Sequence, residues 1–373
     1  MHRTIFTRSI SVLLYPLLLV CPLLALGQAK ATKTENIVLI TLDGFRWEEL
    51  FDGASDSLMT DSRFVKDTAS LRRQFGAATP GARRQKLMPW FWSTLAPSGQ
   101  LYGNQRLGNQ VNVTNSHWFS YPGYSEILNG FVDSSIHSND KVPNPNVTVL
   151  EWLHRQPAFR EKVAAFGSWD VFPYILNQKR SGIPVNAGFS PAGDPDKSAR
   201  EAFLNQLQTQ IPSPWPSVRL DAFTHHYALE YLKRKHPRVV YIAYGETDDF
   251  AHDGQYDQYL QSAHRTDGFI RQLWEVMQAD PVYRNKTTFL ITTDHGRGNH
   301  PAEAWKHHGK EHPGSDAIWM ALLRTDTPAT GEVKIKGQWG QNQIAQTIAA
   351  LLGLQYTNTT PVGAAISEVF ITK

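Results

Sequence analysis

The sequence predicts an α/β fold built on a mostly parallel sheet covered on both faces. Three apolar runs carry that expectation: Asn36–Leu42, Arg238–Gly245 and Phe289–Thr293. Such runs suit strands buried on both sides, and helical patterns stand between them, as parallel strands require. Each run gives way to acids close to glycine, as Asp43-Gly44, as Gly245 followed by Asp248, and as Asp294-His295-Gly296. Open α/β sheets gather their ligands beyond the carboxyl ends of the strands, so these acids stand where chemistry is usually done.

The 373 residues suffice for one large domain with insertions. Residues 1–27 read as a signal peptide. Arg3 and Arg8 precede an apolar run from Ile10 to Leu26 that ends in Ala25-Leu26-Gly27. An uncleaved anchor is the competing reading, and Pro16, Pro22 and the small-residue ending favour removal. Residues 28–35 are a polar linker, and 36–373 form a single domain with insertions at about 54–115 and 184–216. The implied location is exported, periplasmic or extracellular, with no membrane span after cleavage. Cys21 is the only cysteine, so the mature chain has neither disulfide nor thiolate, and any metal falls to His, Asp and Glu. That donor set suits zinc or another divalent ion. A formal charge of +3 without a basic run excludes nucleic acid as a stable partner.

The elements follow in order. A helix starts near Trp47, with Glu48 and Glu49 in its first turn, where negative charge suits the dipole. The stretch 54–115 is mixed, with a helical pattern from Met88 to Ser98. Between Asn115 and Gly130, a loop holding Ser120, Pro122 and Gly123 opens a short helix that Gly130 stops. Val147–His154 reads as helix, Lys162–Ser168 as strand and Phe172–Gln178 as helix. The Pro-, Gly- and Asp-rich stretch 184–216 resembles a lid. A helix over Leu220–Lys235 precedes the second apolar strand, and one over Tyr256–Gln278 follows it. A polar loop from Arg297 to Pro313 carries four histidines, Ala317–Leu323 is a last strand and Asn342–Leu352 a last helix.

Asp43, Asp248 and Asp294 thus end three separate strands. Asp248 and His252, four apart, stack on one face of a helical turn. Capping explains one such acid. Three of them, with His295, His252 and His307-His308-Gly309, point to a metal site with ligands enough for two ions. Ser120 adds a hydroxyl at a helix head, where N–H groups hold anions. A serine needs a base or a metal to act as nucleophile, and no Gly-x-Ser-x-Gly elbow surrounds Ser120, which favours metal activation over a serine-histidine-acid triad; taken by itself Ser120 reads first as a helix cap. Trp90, Trp92, Trp118, Phe119 and Tyr124 are core residues first and candidate stacking surfaces second.

In this order the motifs resemble the alkaline phosphatase superfamily, and most closely its nucleotide pyrophosphatase/phosphodiesterase branch. The matches are Leu42-Asp43-Gly44, Phe119-Ser120-Tyr121-Pro122, Thr247-Asp248-Asp249-Phe250-Ala251-His252, Thr293-Asp294-His295-Gly296 and a late His-Gly. The resemblance implies an alkaline phosphatase-like three-layer sandwich with inserted loops and two divalent ions, usually zinc. Asp43, Ser120, Asp294 and His295 would hold one ion, and Asp248, His252 and a late histidine the other, with His308 favoured over His312. It implies hydrolysis of a small phosphate mono- or diester through a phosphoseryl intermediate on Ser120. Thr247, Ala251 and Gly123-Tyr124 depart from the branch's Pro, Gly and Asn-His, so ester preference does not carry over. A sulfatase of the same fold is a weaker alternative, since no Arg follows in Ser120-Tyr121-Pro122-Gly123-Tyr124 and the mature chain has no Cys. Phosphotransfer on the same fold and a metal-containing binding protein without turnover compete with hydrolysis. Neither the natural substrate nor the oligomeric state is legible.

Overall fold

The computed structural model describes residue 2, residues 34–324 and residues 328–370. Apart from residue 2, the expected signal peptide and all but the end of the linker lie outside the described residues. Among the described residues no helix is long and apolar enough to cross a membrane.

The first strand, β1, spans Asn36–Leu42, and all seven of its residues are buried. Burial of both faces is what the run Asn-Ile-Val-Leu-Ile-Thr-Leu dictates. Val38, Ile40 and Leu42 enter one core and Ile37 and Leu39 the other. Helix α1 (Trp47–Asp52) follows directly. After several short helices between residues 56 and 98 come β2 (Gln100–Tyr102), β3 (Asn109–Asn112), helix α2 (Ser120–Asn129) and helix α3 (Val149–Arg155). Then follow β4 (Val163–Gly167), β5 (Val185–Ala187), helix α4 (Ala199–Gln210), helix α5 (Asp221–Lys235), β6 (Val239–Tyr244) and helix α6 (Glu246–His252). The chain continues through α7 (Tyr256–Ala279), β7 (Thr287–Thr292), β8 (Ala317–Ile318), β9 (Met320–Leu323), β10 (Gly331–Glu332), β11 (Gly337–Gly340) and α8 (Ile344–Leu351).

Among the described residues, eight strands form the main sheet in the order β10-β2-β9-β7-β1-β6-β4-β5. Only β9 runs antiparallel to its neighbours. Helices α5 and α7 pack on one face through Leu229, Leu232, Leu260, Ala263 and Ile270. Helices α2, α3 and α8 pack on the other through Ile127, Leu128, Leu150, Leu153, Ile344 and Ile348. The result is the expected three-layer, mostly parallel α/β architecture.

Several elements correct the sequence reading. The stretch 54–115 is not simply inserted, because it delivers β2 to the main sheet and β3 to a second sheet, ordered β11-β3-β8. The stretch 184–216 is more than a lid: it supplies the edge strand β5 and the twelve-residue helix α4, which starts at a Ser198/Glu201 capping box. Ala317–Leu323 is two strands in two sheets, broken at Trp319, whose indole Nε1–H donates to the Phe45 carbonyl at 2.9 Å. Phe172–Gln178 resolves into two single turns, Phe172–Ile175 and Gln178–Ser181.

Candidate metal and nucleophile site

Strands β1, β6 and β7 lie side by side in parallel register, so their carboxyl ends share one edge of the sheet. Asp43 leaves β1, Asp294 and His295 leave β7, and α6, which starts two residues after β6, presents Asp248 and His252. Gly44 turns the chain at φ +56, a conformation that favours glycine, and its N–H donates to Asp294 Oδ1 at 3.1 Å. The spacing of Asp248 and His252 places His252 Nε2 3.3 Å from Asp248 Oδ2.

Ser120 opens α2 as expected but does not cap it. Its Oγ lies 3.3 Å from His295 Nε2. The first turn offers an anion little else. Tyr121 N–H is taken by Asn139 Oδ1 at 3.0 Å, Pro122 has no N–H, and Gly123 N–H bonds the Phe119 carbonyl. Ser120 N–H is the turn's remaining donor, so the expected cradle of several N–H groups is reduced to one.

His295 organises the rest. Its Nδ1–H donates to the Gly296 carbonyl at 2.8 Å, which turns Nε2 into the site. Nε2 lies 3.3 Å from Asp43 Oδ1, 3.5 Å from Asp294 Oδ2 and 3.9 Å from Asp248 Oδ1. The first two contacts lack the alignment of hydrogen bonds. Asp43 Oδ1 and Asp294 Oδ2 are buried and without a hydrogen-bond partner among the described residues. Burial first and the charge of Asp248 next push the Asp43 carboxyl above its ordinary range; burial and Asp43 push Asp294 well above it. Burial alone would lower His295, but the charges of Asp294, Asp43 and Asp248 outweigh it and raise the imidazole to about 9. An imidazole lone pair facing three carboxylates is repulsive unless a proton or a cation sits among them.

On the outer side, His308 Nε2 lies 2.9 Å from His252 Nε2 and 3.6 Å from Asp248 Oδ1. Its ring stacks on His295 at 3.9 Å. His312 is elsewhere, stacked on His307. Two groups of donors therefore have ligand atoms within 4.8 Å of one another, Asp43/Asp294/His295 and Asp248/His295/His308, with His252 beside the second. Two orphaned carboxylate oxygens and nitrogen–oxygen donors without a thiolate fit a divalent cation such as zinc.

Sequence reasoning missed the residues that hold these donors. Tyr124 hydroxyl donates to Asp43 Oδ2 at 2.7 Å, Gln341 Nε2 to the Asp294 carbonyl at 2.7 Å, and Thr247 hydroxyl to the Asp43 carbonyl. Arg297, 1% exposed, donates to Asp248 Oδ1. Its place two residues after His295 was the one signal available. Of the aromatic candidates, Trp90, Trp92 and Tyr124 are buried, while Trp118 and Phe119 are half-buried beside Ser120.

Fold and donors together define a hydrolase-type α/β scaffold of the alkaline phosphatase superfamily, in which metal dependence is the rule. More particularly, the chain belongs to the type I phosphodiesterase/nucleotide pyrophosphatase family, whose model matches residues 127–345, more than half of its length. That match takes in Asp248, His252, Asp294, His295 and His308 but begins after Asp43 and Ser120. Solved structures share the fold. The alkaline phosphatase PafA matches with TM-score 0.60 at 10% identity, over 91% of this chain and 99% of that one. The lipoteichoic acid synthase LtaP of Listeria monocytogenes matches with TM-score 0.56 at 14% identity, over 87% of this chain and 73% of that one. A 2-O GAG sulfatase matches with TM-score 0.53 at 11% identity, over 90% and 73%. No curated protein matches the sequence.

Proposed function

We propose that this chain is an exported, two-metal hydrolase of small phosphate esters that works through a phosphoseryl intermediate on Ser120. The observation that carries the proposal is the meeting of an uncapped serine hydroxyl with two orphaned carboxylate oxygens around His295 Nε2. Asp43, Ser120, Asp294 and His295 are assigned to one ion and Asp248, His252 and His308 to the other. Bound divalent cations, zinc by donor type, would neutralise phosphoryl charge and lower the pKa of the attacking hydroxyl.

The chain's own residues do the rest. Ser120 Oγ, held at the head of α2, loses its proton to water and forms a bond to phosphorus while the ester oxygen leaves on the opposite side and takes up a proton from water. Water then cleaves the phosphoserine, releasing phosphate or a phosphomonoester and restoring the hydroxyl. Ser120 N–H would serve one non-bridging oxygen, and the half-buried Trp118 and Phe119, next to Ser120 in the chain, would flank the leaving group. The test is Ser120→Ala, loaded with zinc and given aryl phosphate mono- and diesters. Metal content should persist while turnover falls by about a thousandfold or more. A variant that hydrolyses either ester at the wild-type rate removes Ser120 from the mechanism. Metal retention by a wild-type chain with no turnover on any ester supports a binding protein instead.

A further inference from the structure

Arg297 sets the two donor groups apart. Its guanidinium is fully enclosed and donates to Asp248 Oδ1, to the Trp305 carbonyl through Nε at 2.7 Å and to the Lys306 carbonyl through Nη2 at 2.7 Å. It packs directly against Gly44, where an added Cβ would lie 2.5 Å from Nη1. Leaving would strand two carbonyls that shape the loop holding His308, two residues on. The Asp43/Asp294 group has two acids, each with an orphaned oxygen, and among the described residues no arginine or lysine is bonded to either; the histidine they share, His295, faces the second group as well. The Asp248/His252/His308 group has one acid, both of whose oxygens already face partners: Arg297 at Oδ1 and His252 at Oδ2. Counting formal charges, the first group offers two negative charges to a cation and the second, with Arg297, offers none.

We propose that Arg297 makes the two metal positions unequal, so that the ion at Asp43, Asp294 and His295 binds first and the ion at Asp248, His252 and His308 binds far more weakly. This inference rests on the two-cation reading of the site. Repulsion between a fixed guanidinium and a divalent ion on the same carboxylate is large even at the effective dielectric of protein sites. We expect a gap of about a hundredfold or more in dissociation constant. At limiting metal, the chain would therefore hold a single ion beside Ser120.

The test uses the full-length protein, stripped with a chelator and titrated with zinc in metal-ion buffers, with bound zinc counted and heats recorded. Wild type should take up one zinc, then a second only at about a hundredfold higher free zinc. Asp43→Asn should remove the tight step and leave the weak one. Arg297→Met, matched in length and uncharged, should narrow the gap by about tenfold or more by strengthening the second step. Two steps of equal affinity in wild type overturn the inference while leaving the two-cation reading standing. So does an unchanged gap in a folded Arg297→Met protein. Should Arg297→Met fail to fold, the wild-type and Asp43→Asn titrations decide. Binding of no zinc at all sinks the two-cation reading itself.

Discussion

Replacing Gly123 by alanine asks whether the close seat of α2 on the end of β7 positions the nucleophile. A Cβ at residue 123 would lie 2.4 Å from the Asp294 carbonyl oxygen, about 1 Å inside ordinary contact. That carbonyl is held on its other side by Gln341 Nε2 at 2.7 Å, so it has little freedom to retreat. Two effects oppose each other. Alanine in a helix interior gains about 1 kcal/mol over glycine. Forcing backbone apart in a packed core costs about 1–3 kcal/mol. Because both colliding groups are buried and one is backbone, the steric cost should win by about 1–2 kcal/mol. The same shift moves Ser120, three residues earlier on α2, by up to about 1 Å relative to Asp294 and His295. Misplacement on that scale costs about a hundredfold in turnover. Urea denaturation and aryl phosphate kinetics on one preparation read both numbers. A variant stabilised by about 1 kcal/mol with unchanged kcat would show that helix propensity alone governs the position, and would refute the reasoning.

Three further outcomes are expected. Chelation should lower the melting temperature more at pH 8 than at pH 5. Without cations the folded chain must bind protons at Asp43 and Asp294 that the unfolded chain does not, so metal-free stability falls as pH rises through their raised folded pKa values; a metal effect equal at both pH values contradicts this. Tyr124→Phe should strip the hydrogen bond from buried Asp43 Oδ2, costing about 1–3 kcal/mol in the metal-free protein and weakening zinc about 10- to 100-fold. Zinc titration and urea melts check both. His225, buried between Tyr244 and Gln272, is lowered by burial to about 4. Its folded pKa lies below the unfolded value, so its contribution is intact above about pH 6.5 and is lost as pH falls towards 4, by about 3 kcal/mol. The difference in stability between wild type and His225→Phe should shrink across that window, and a constant difference argues against a buried neutral imidazole.

The sheet centre was legible in the sequence because its strands are buried on both faces. Asn36–Leu42 is apolar along both sides and has the observed limits. Gln100–Tyr102 and Val185–Ala187 are three residues each, too short for any period to show, and they are strands only because β9 and β4 offer them open edges. Trp319 splits a run that reads as continuous, since its indole is drawn to the Phe45 carbonyl, 274 residues earlier. At the site, Asp43, Asp248, Asp294 and His295 could be singled out because acids at strand ends are conspicuous against apolar runs. Gln341 could not, and the roles of Tyr124 and Arg297 as supports of Asp43 and Asp248 could not, because those roles exist only through contacts with residues far away in the chain.

Everything proposed for this chain requires cations and phosphoryl group to meet at Ser120. A crystal structure of the zinc-loaded protein with vanadate, with zinc located by anomalous scattering, measures this directly. The expected result is zinc among Asp43, Asp294 and His295, a second zinc at higher zinc concentration among Asp248, His252 and His308, and vanadium on Ser120 Oγ. Zinc held by other residues, or vanadate bound away from Ser120 beside an intact hydroxyl, would contradict it.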